Sequence, residues 1–309
     1  MAHFRLILRP TLLFGVLLAL STLASAQNLT LEGQTGGFIT PTAYVVPVAP
    51  HKLFSIPEFG YHFVGAGSVI GDVQTVSITE GIHNFAEFGY TRSIHTDGSN
   101  PYFSSLWNYS GMNIFHGKAV VLKENAFHRN WMPGLGAGFV VRLNDPFVSG
   151  AIAHTTYNNE DIYIAATKTA LNLRLPLFLN FGFKMTNASI FGLGGQATRF
   201  GGRWFGGIGF PLPGPWHTAF VPAAGFTQEP YHVKNLNQEI PGGGRIPTTL
   251  DYAVRWTQRT NARFSVDFGI GQVAGNIGST TIPTTSGLQV VPVNLQARHV
   301  IGFGGTYRF

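Results

Sequence analysis

Cysteine is absent from the 309 residues. This removes disulfide staples, thiolate zinc sites, a cysteine nucleophile and the lipidated cysteine of a bacterial lipoprotein anchor. Charge is scarce as well: Asp, Glu, Lys and Arg make up 11% of the chain, about half the share of an ordinary soluble domain. That is too little to solvate a globular surface of this size. Long apolar runs are also missing. After residue 26 no stretch approaches the roughly 20 apolar residues a spanning helix needs, so helical membrane spans are excluded. What the chain has instead is 44% hydrophobic residues, with 26 Phe, 10 Tyr, 5 Trp and 39 Gly. This is too much apolar surface for a disordered tail. The formal charge of +6 is modest, and no nucleic-acid partner is expected.

Residues 1–26 have the form of a signal peptide. Arg5 and Arg9 give a basic start, Leu12 to Leu20 an apolar stretch, and Ala24-Ser25-Ala26 a small-residue cleavage site. The expectation is an exported chain in three parts: signal peptide 1–26, an N-terminal segment 27–50, and a transmembrane β-barrel 51–309. A barrel reconciles high apolar content with the lack of long apolar runs. It shows lipid a hydrophobic side chain at every second position and turns polar ones inward.

Period-two alternation supports this. Leu177, Leu179, Phe181, Phe183 and Met185 alternate with Asn180, Gly182 and Lys184. Leu250, Tyr252, Val254 and Trp256 alternate with Asp251, Ala253 and Arg255, and Phe264, Val266, Phe268 and Ile270 with Arg263, Ser265 and Asp267. The pattern predicts an all-β, antiparallel transmembrane β-barrel of about twelve strands, with ten or fourteen also compatible. The expected strands are 52–64, 73–82, 85–96, 110–122, 133–143, 161–171, 177–187, 203–211, 217–228, 248–258, 262–272 and 295–309. Long loops are expected at 95–106, 144–160, 228–247 and 275–289, after odd-numbered strands. A further long connection at 123–131 does not fit that rule. Pro57 and Pro222 fall inside expected strands, where each would remove a ladder bond.

The last expected strand carries Ile301, Phe303, Tyr307 and Phe309 on one face. An aromatic-x-Phe ending resembles the C-terminal assembly signal of Gram-negative outer-membrane barrels, with Phe303, Tyr307 and Phe309 as its residues. That resemblance implies the bacterial outer membrane as location, with its lipid and the barrel assembly machinery as partners. The segment from Leu31 to Pro50, with its Gly-rich start and Pro41-Thr42-Ala43, is similar to the start of barrels associated with exopolysaccharide export. A polar solute or polysaccharide would be the partner this implies. Locally, the segment can be a first strand, a periplasmic cap or a lumen plug.

Parity places Glu87, Arg142, Lys184, Arg203, Asp251, Arg255, Arg263, Asp267, Arg298 and Arg308 toward the lumen, together with Glu58, His62 and Asn180. These charges read either as a mild anion preference or, more simply, as Asp251, Arg255, Asp267 and Arg263 pairing across neighbouring strands to satisfy buried charge. Inward glycines at Gly60, Gly89, Gly136, Gly138, Gly182, Gly207, Gly209, Gly269, Gly271, Gly302 and Gly304 leave room for a narrow pore or for the N-terminal segment. No metal spacing, phosphate loop or cofactor motif is present. The nearest hydrolytic combinations, His154-Thr155-Thr156 and His95 with Ser93, match no triad arrangement, so no enzyme, catalytic residue, metal or cofactor is expected. The expected function is a passive channel or export-associated conduit for polar solutes. The alternative is a structural or surface-interaction barrel with a closed lumen, and an envelope lipid hydrolase ranks last.

Overall fold

The computed structural model describes residues 28–67, 71–96, 98–99, 110–146, 158–170, 173–188, 191–192, 196–230, 234–235, 238–239, 245–258, 263–284, 287–294 and 299–309. The signal peptide and Arg298 lie outside them. Twelve antiparallel strands form one closed barrel. They are β1 (Glu58–Gly65), β2 (Asp72–Ile82), β3 (Ala86–Thr96), β4 (Gly111–Leu122), β5 (Gly134–Asn144), β6 (Asn159–Ala170), β7 (Leu177–Ala188), β8 (Gln196–Gly209), β9 (Thr218–Gln228), β10 (Arg245–Gln258), β11 (Phe264–Thr284) and β12 (His299–Arg308). Each pairs with its neighbours in sequence, and β12 closes on β1 with Arg308 opposite Glu58 and Phe303 opposite Phe63. Closure leaves no unpaired edge in the wall, the condition for spanning a bilayer with strands.

The exterior is what the alternation implies. Phe59, Tyr61, Val76, Ile78, Phe88, Phe115, Phe139, Ile162, Ile164, Phe181, Trp204, Tyr252, Phe268 and Phe303 all stand exposed. A band of this kind is stable in hydrocarbon rather than in water. Aromatic rings pack with one another at the end where β12 finishes: Phe309 meets Phe59 at 5.4 Å and Tyr307 at 4.9 Å between ring centroids. Short connections such as 83–85 and 210–217 lie at this end, which is the periplasmic side in barrels of this type.

Four expectations need correction. β1 begins at Glu58, so Pro57 precedes it. Pro222 does sit in β9, but its carbonyl accepts from Phe210 N (2.9 Å), just beyond the last β8–β9 pair at Gly209 and Ala223. The missing N–H therefore faces the end of the β8 ladder and costs no central bond. The expected loop 275–289 is largely strand: β11 continues to Thr284 and pairs with Gly287–Asn294 in a hairpin reaching past the barrel. Thr280, Thr281 and Ile282, with Val291 and Val290 opposite the two threonines, are the β-branched residues that favour this. Lastly, β8 starts seven residues before its expected position, with a bulge between Gln196 and Gly201.

The candidate functional site: the barrel lumen

A twelve-stranded barrel is wider than its own side chains fill, so what enters it decides what it can do. Residues 28–48 enter it. Leu29, Thr30, Gln34, Thr35, Thr42, Ala43 and Val46 are all buried, although the segment has one short ladder of its own, Asn28–Leu29 with Thr35–Gly36. Turn bonds such as Leu31 N to Phe38 O (3.0 Å) and Thr42 N to Thr35 O (3.2 Å) satisfy part of its backbone and the wall satisfies more, as burial requires.

Glu87 on β3 is the main anchor. Its carboxylate accepts from Thr35 N (2.9 Å), Thr35 Oγ1 (2.5 Å) and Val46 N (2.9 Å), holding two points of the segment eleven residues apart in sequence. Lys118 on β4 lies 3.1 Å from the same carboxylate and donates to Thr35 O at 2.7 Å. A second anchor is Arg142 on β5, whose guanidinium grips Glu32 of the segment through Nε and through Nη2 (2.8 Å), and reaches Asp161 on β6 at 2.8 Å. Lys184 on β7 stands 3.8 Å from Asp161. Hydroxyls and amides complete the row: Thr79 Oγ1 donates to Gly33 O (2.6 Å), Thr91 Oγ1 to Glu32 O (2.9 Å) and Asn180 Nδ2 to Pro41 O (2.9 Å), while Ala43 N donates to Thr167 Oγ1 (2.8 Å).

The connection 123–133 explains its own length. Glu124 accepts from Tyr44 OH (2.5 Å), from Thr169 N (2.8 Å) and lies 2.9 Å from Lys168 Nζ. The long connection thus folds over the barrel end and fastens the segment where it leaves the lumen. Burial and the neighbouring Glu124 carboxylate push the Tyr44 hydroxyl above its ordinary pKa, so the phenol keeps its proton and donates.

The opposite wall, β8 to β12, touches the segment more lightly. Two polar bonds reach it among the described residues: Arg255 donates to Gly36 O at 3.0 Å, and Asn28 Nδ2 to Asp267 at 3.5 Å. Arg255 also holds Asp267 at 2.7 Å, its register partner on β11. The expected pairing of these charges across neighbouring strands forms between Arg255 and Asp267, while Asp251 and Arg263 take no part in it. Arg308 pairs with Glu58 across the closing seam at 3.2 Å. Arg203 donates to the carbonyls of Glu229 and Gly202, each at 2.6 Å. Arg263 is exposed, just before β11 at the short-turn end.

Inward glycines on both walls are covered by neighbours: on β12 Gly302 lies under Phe38 of the segment and Gly304 under the His62 ring. On β3 to β7 most are seats for a neighbour: Gly89 lies under the His116 ring, Gly138 under Tyr163, Gly182 under Phe205, and Gly136 against Ala43 of the segment. With Val73, Met112, Ile114, Val140 and Ala165, Tyr163 and Phe205 make an apolar cluster inside the barrel. Around Gly207 and Gly271 an added side chain would meet nothing closer than 3.2 Å and 3.7 Å. A cleft of about 90 Å³, room for about three waters, opens between the segment and the wall near Gly209, lined by Gly36, Phe38, Tyr44, Gly209, Ala253 and Arg255 among others. Parity missed three functional side chains, Glu32, Lys118 and Asp161; for Asp161 the alternation of β6 carried the signal.

No protein-family description and no curated protein matches the chain. Several solved barrels are similar in outline. The KdgM porin shares 9% identity over 82% of this chain and 99% of its own, with a TM-score of 0.45. LpxR from Salmonella typhimurium shares 8% over 82% and 100% with a TM-score of 0.45, and an outer membrane channel from Pseudomonas putida F1 shares 9% over 85% and 100% with a TM-score of 0.43. Likeness at this level carries no conclusion about the contents of this lumen.

Proposed function

We propose that the chain is a bacterial outer-membrane barrel acting as a narrow passive conduit for small polar solutes, with residues 28–48 as a resident lumen plug. The observation that carries this is the cleft between the plug and the glycine-lined wall of β8 to β12. The apolar exterior band and the short connections at the end bearing both Glu58 and Arg308 support an outer-membrane setting with that end in the periplasm. Phe303, Tyr307 and Phe309 serve as the assembly signal for the barrel assembly machinery. A second reading, a structural barrel with a shut lumen, is favoured by the plug's bonds to β2–β7 and by the apolar cluster beside it. A lipid hydrolase has less support: no Ser–His hydrogen bond is found among the described residues, where Ser93 Oγ lacks a partner.

Single-channel recording in a planar bilayer separates the two readings. Folded protein gives small, steady currents if the conduit is open, and Gly209→Trp, which fills the cleft, cuts them. Absence of current from folded wild-type protein overturns the conduit and leaves the shut barrel.

A further inference from the structure

Five strand carboxylates point into the barrel, and all are buried: Glu58, Glu87, Asp161, Asp251 and Asp267. Four have a cationic partner, with Arg308 at 3.2 Å from Glu58, Lys118 at 3.1 Å from Glu87, Arg142 at 2.8 Å from Asp161 and Arg255 at 2.7 Å from Asp267. Asp251 has none among the described residues. It is 5% exposed, and its Oδ1 accepts no hydrogen bond. An ionised carboxylate without a partner is among the most expensive groups to bury.

Its surroundings give the reason it is tolerated. Asp251 is paired in register with Gly225 on β9 and Gly271 on β11. A side chain at 225 would collide with the carboxylate, and one at 271 would meet Val300 Cβ at 3.7 Å, an ordinary contact. Ala253 and Arg255, two and four residues along the same strand and on the same face, line the cleft. Arg255 is committed to Asp267 and Arg203 to backbone carbonyls. On the other side, Thr249 Oγ1 is turned onto Glu229 at 3.0 Å. Asp251 is therefore the uncompensated charge of the glycine-lined wall.

We infer that Asp251 is a binding site for small inorganic cations in transit and makes the conduit cation-selective. The inference rests on the conduit reading above. A single carboxylate suits a weakly held monovalent ion, since a resident calcium ion takes six to eight oxygens. A transit site must also release what it binds. No group of three or more metal-binding side chains is present among the described residues, which agrees with transit rather than storage.

The test is the reversal potential of wild-type, Asp251→Asn and Asp251→Glu barrels in a planar bilayer under a potassium chloride gradient. Wild type should favour potassium over chloride. Asp251→Asn should lower that permeability ratio by about threefold or more, since it removes a carboxylate that has no cationic partner among the described residues, while Asp251→Glu keeps it. A wild type that favours chloride overturns the inference without any variant. So does an Asp251→Asn barrel that conducts with unchanged selectivity, and in that case the conduit stands. No current from folded wild type removes the conduit and the cation site together.

Discussion

The two halves of the barrel wall are built on opposite principles. From β2 to β7 the inner face carries Thr79, Glu87, Thr91, Lys118, Arg142, Thr167 and Asn180, each bonded to residues 32–46. From β8 to β12 it mixes Gly209, Ala253 and Gly271 with Phe205, Thr249, Asp251, Ser265 and Thr306, and Arg255 and Asp267 make its polar contacts to the segment. One half is a clasp and the other a clearance. The segment is fixed to one side of the lumen, and whatever space remains lies on the other. Buried ion pairs such as Glu87–Lys118 add little net stability over apolar packing, but they are costly to break one-sidedly. That asymmetry is how the clasp fixes position.

The largest expected effect comes from Glu87→Ala. It leaves Lys118 buried without its partner and releases two points of the segment, at a cost of about 3–5 kcal/mol. Urea unfolding in detergent, followed by the heat-modifiable gel shift, measures it. A loss below about 1 kcal/mol would break the clasp account. Next is a matched pair of alanine substitutions. Gly33 has φ +88°, with Thr91, His116 and Ser77 crowding the position of a Cβ, so Gly33→Ala is expected to cost about 1–3 kcal/mol. Gly271→Ala makes only ordinary contact and should cost less than about 0.5 kcal/mol. Equal costs on the two sides would erase the contrast between the walls.

Arg142→Lys tests whether the clasp needs a fork. The planar guanidinium grips Glu32 with two nitrogens while reaching Asp161, a rigid fork that an ammonium does not reproduce, so about 1.5–3 kcal/mol should be lost on the same unfolding assay. The smallest effect lies outside both walls. Asp145 is held below the usual carboxylate range by its hydrogen bonds from Arg92, which donates at 2.8 and 2.5 Å. The stability this contributes is present above the ordinary carboxylate range and is lost as pH falls through the lowered value. The pair is partly exposed, so Asp145→Asn should cost about 1 kcal/mol or less at neutral pH, and the difference from wild type should vanish in acid.

The barrel was legible because period two is strict: an outward Phe or Tyr at every second position fixes which side of each strand meets lipid. Strand number followed from it, and boundaries did less well wherever Pro57 or the Thr280–Ile282 run shifted the ends. β4 hid its face, because Met112 and Ile114 point inward beside His116 and Lys118 while Asn113 points out. With an apolar cluster inside the barrel, the usual contrast between faces is lost there. Glu32 sits in a segment with no period at all. The ion pairs depended on register across strands, which parity within a strand does not contain. Glycine count showed room but not occupancy: Gly136 and Gly182 are filled, Gly207 and Gly271 are not.

The absence of native cysteine allows the central claim to be tested by one cross-link. Ala43 of the segment and a Cβ built at Gly134 on β5 are 3.7 Å apart, within the span of a disulfide. Oxidised Ala43→Cys/Gly134→Cys protein, folded by the heat-shift criterion, should form the bond nearly quantitatively, seen as a reducible mobility change on a denaturing gel. The control Ala43→Cys/Gly271→Cys, which joins the segment to the opposite wall, should not form it. Efficient cross-linking of the control, or none in the Ala43–Gly134 pair, would contradict a segment clasped to β2–β7.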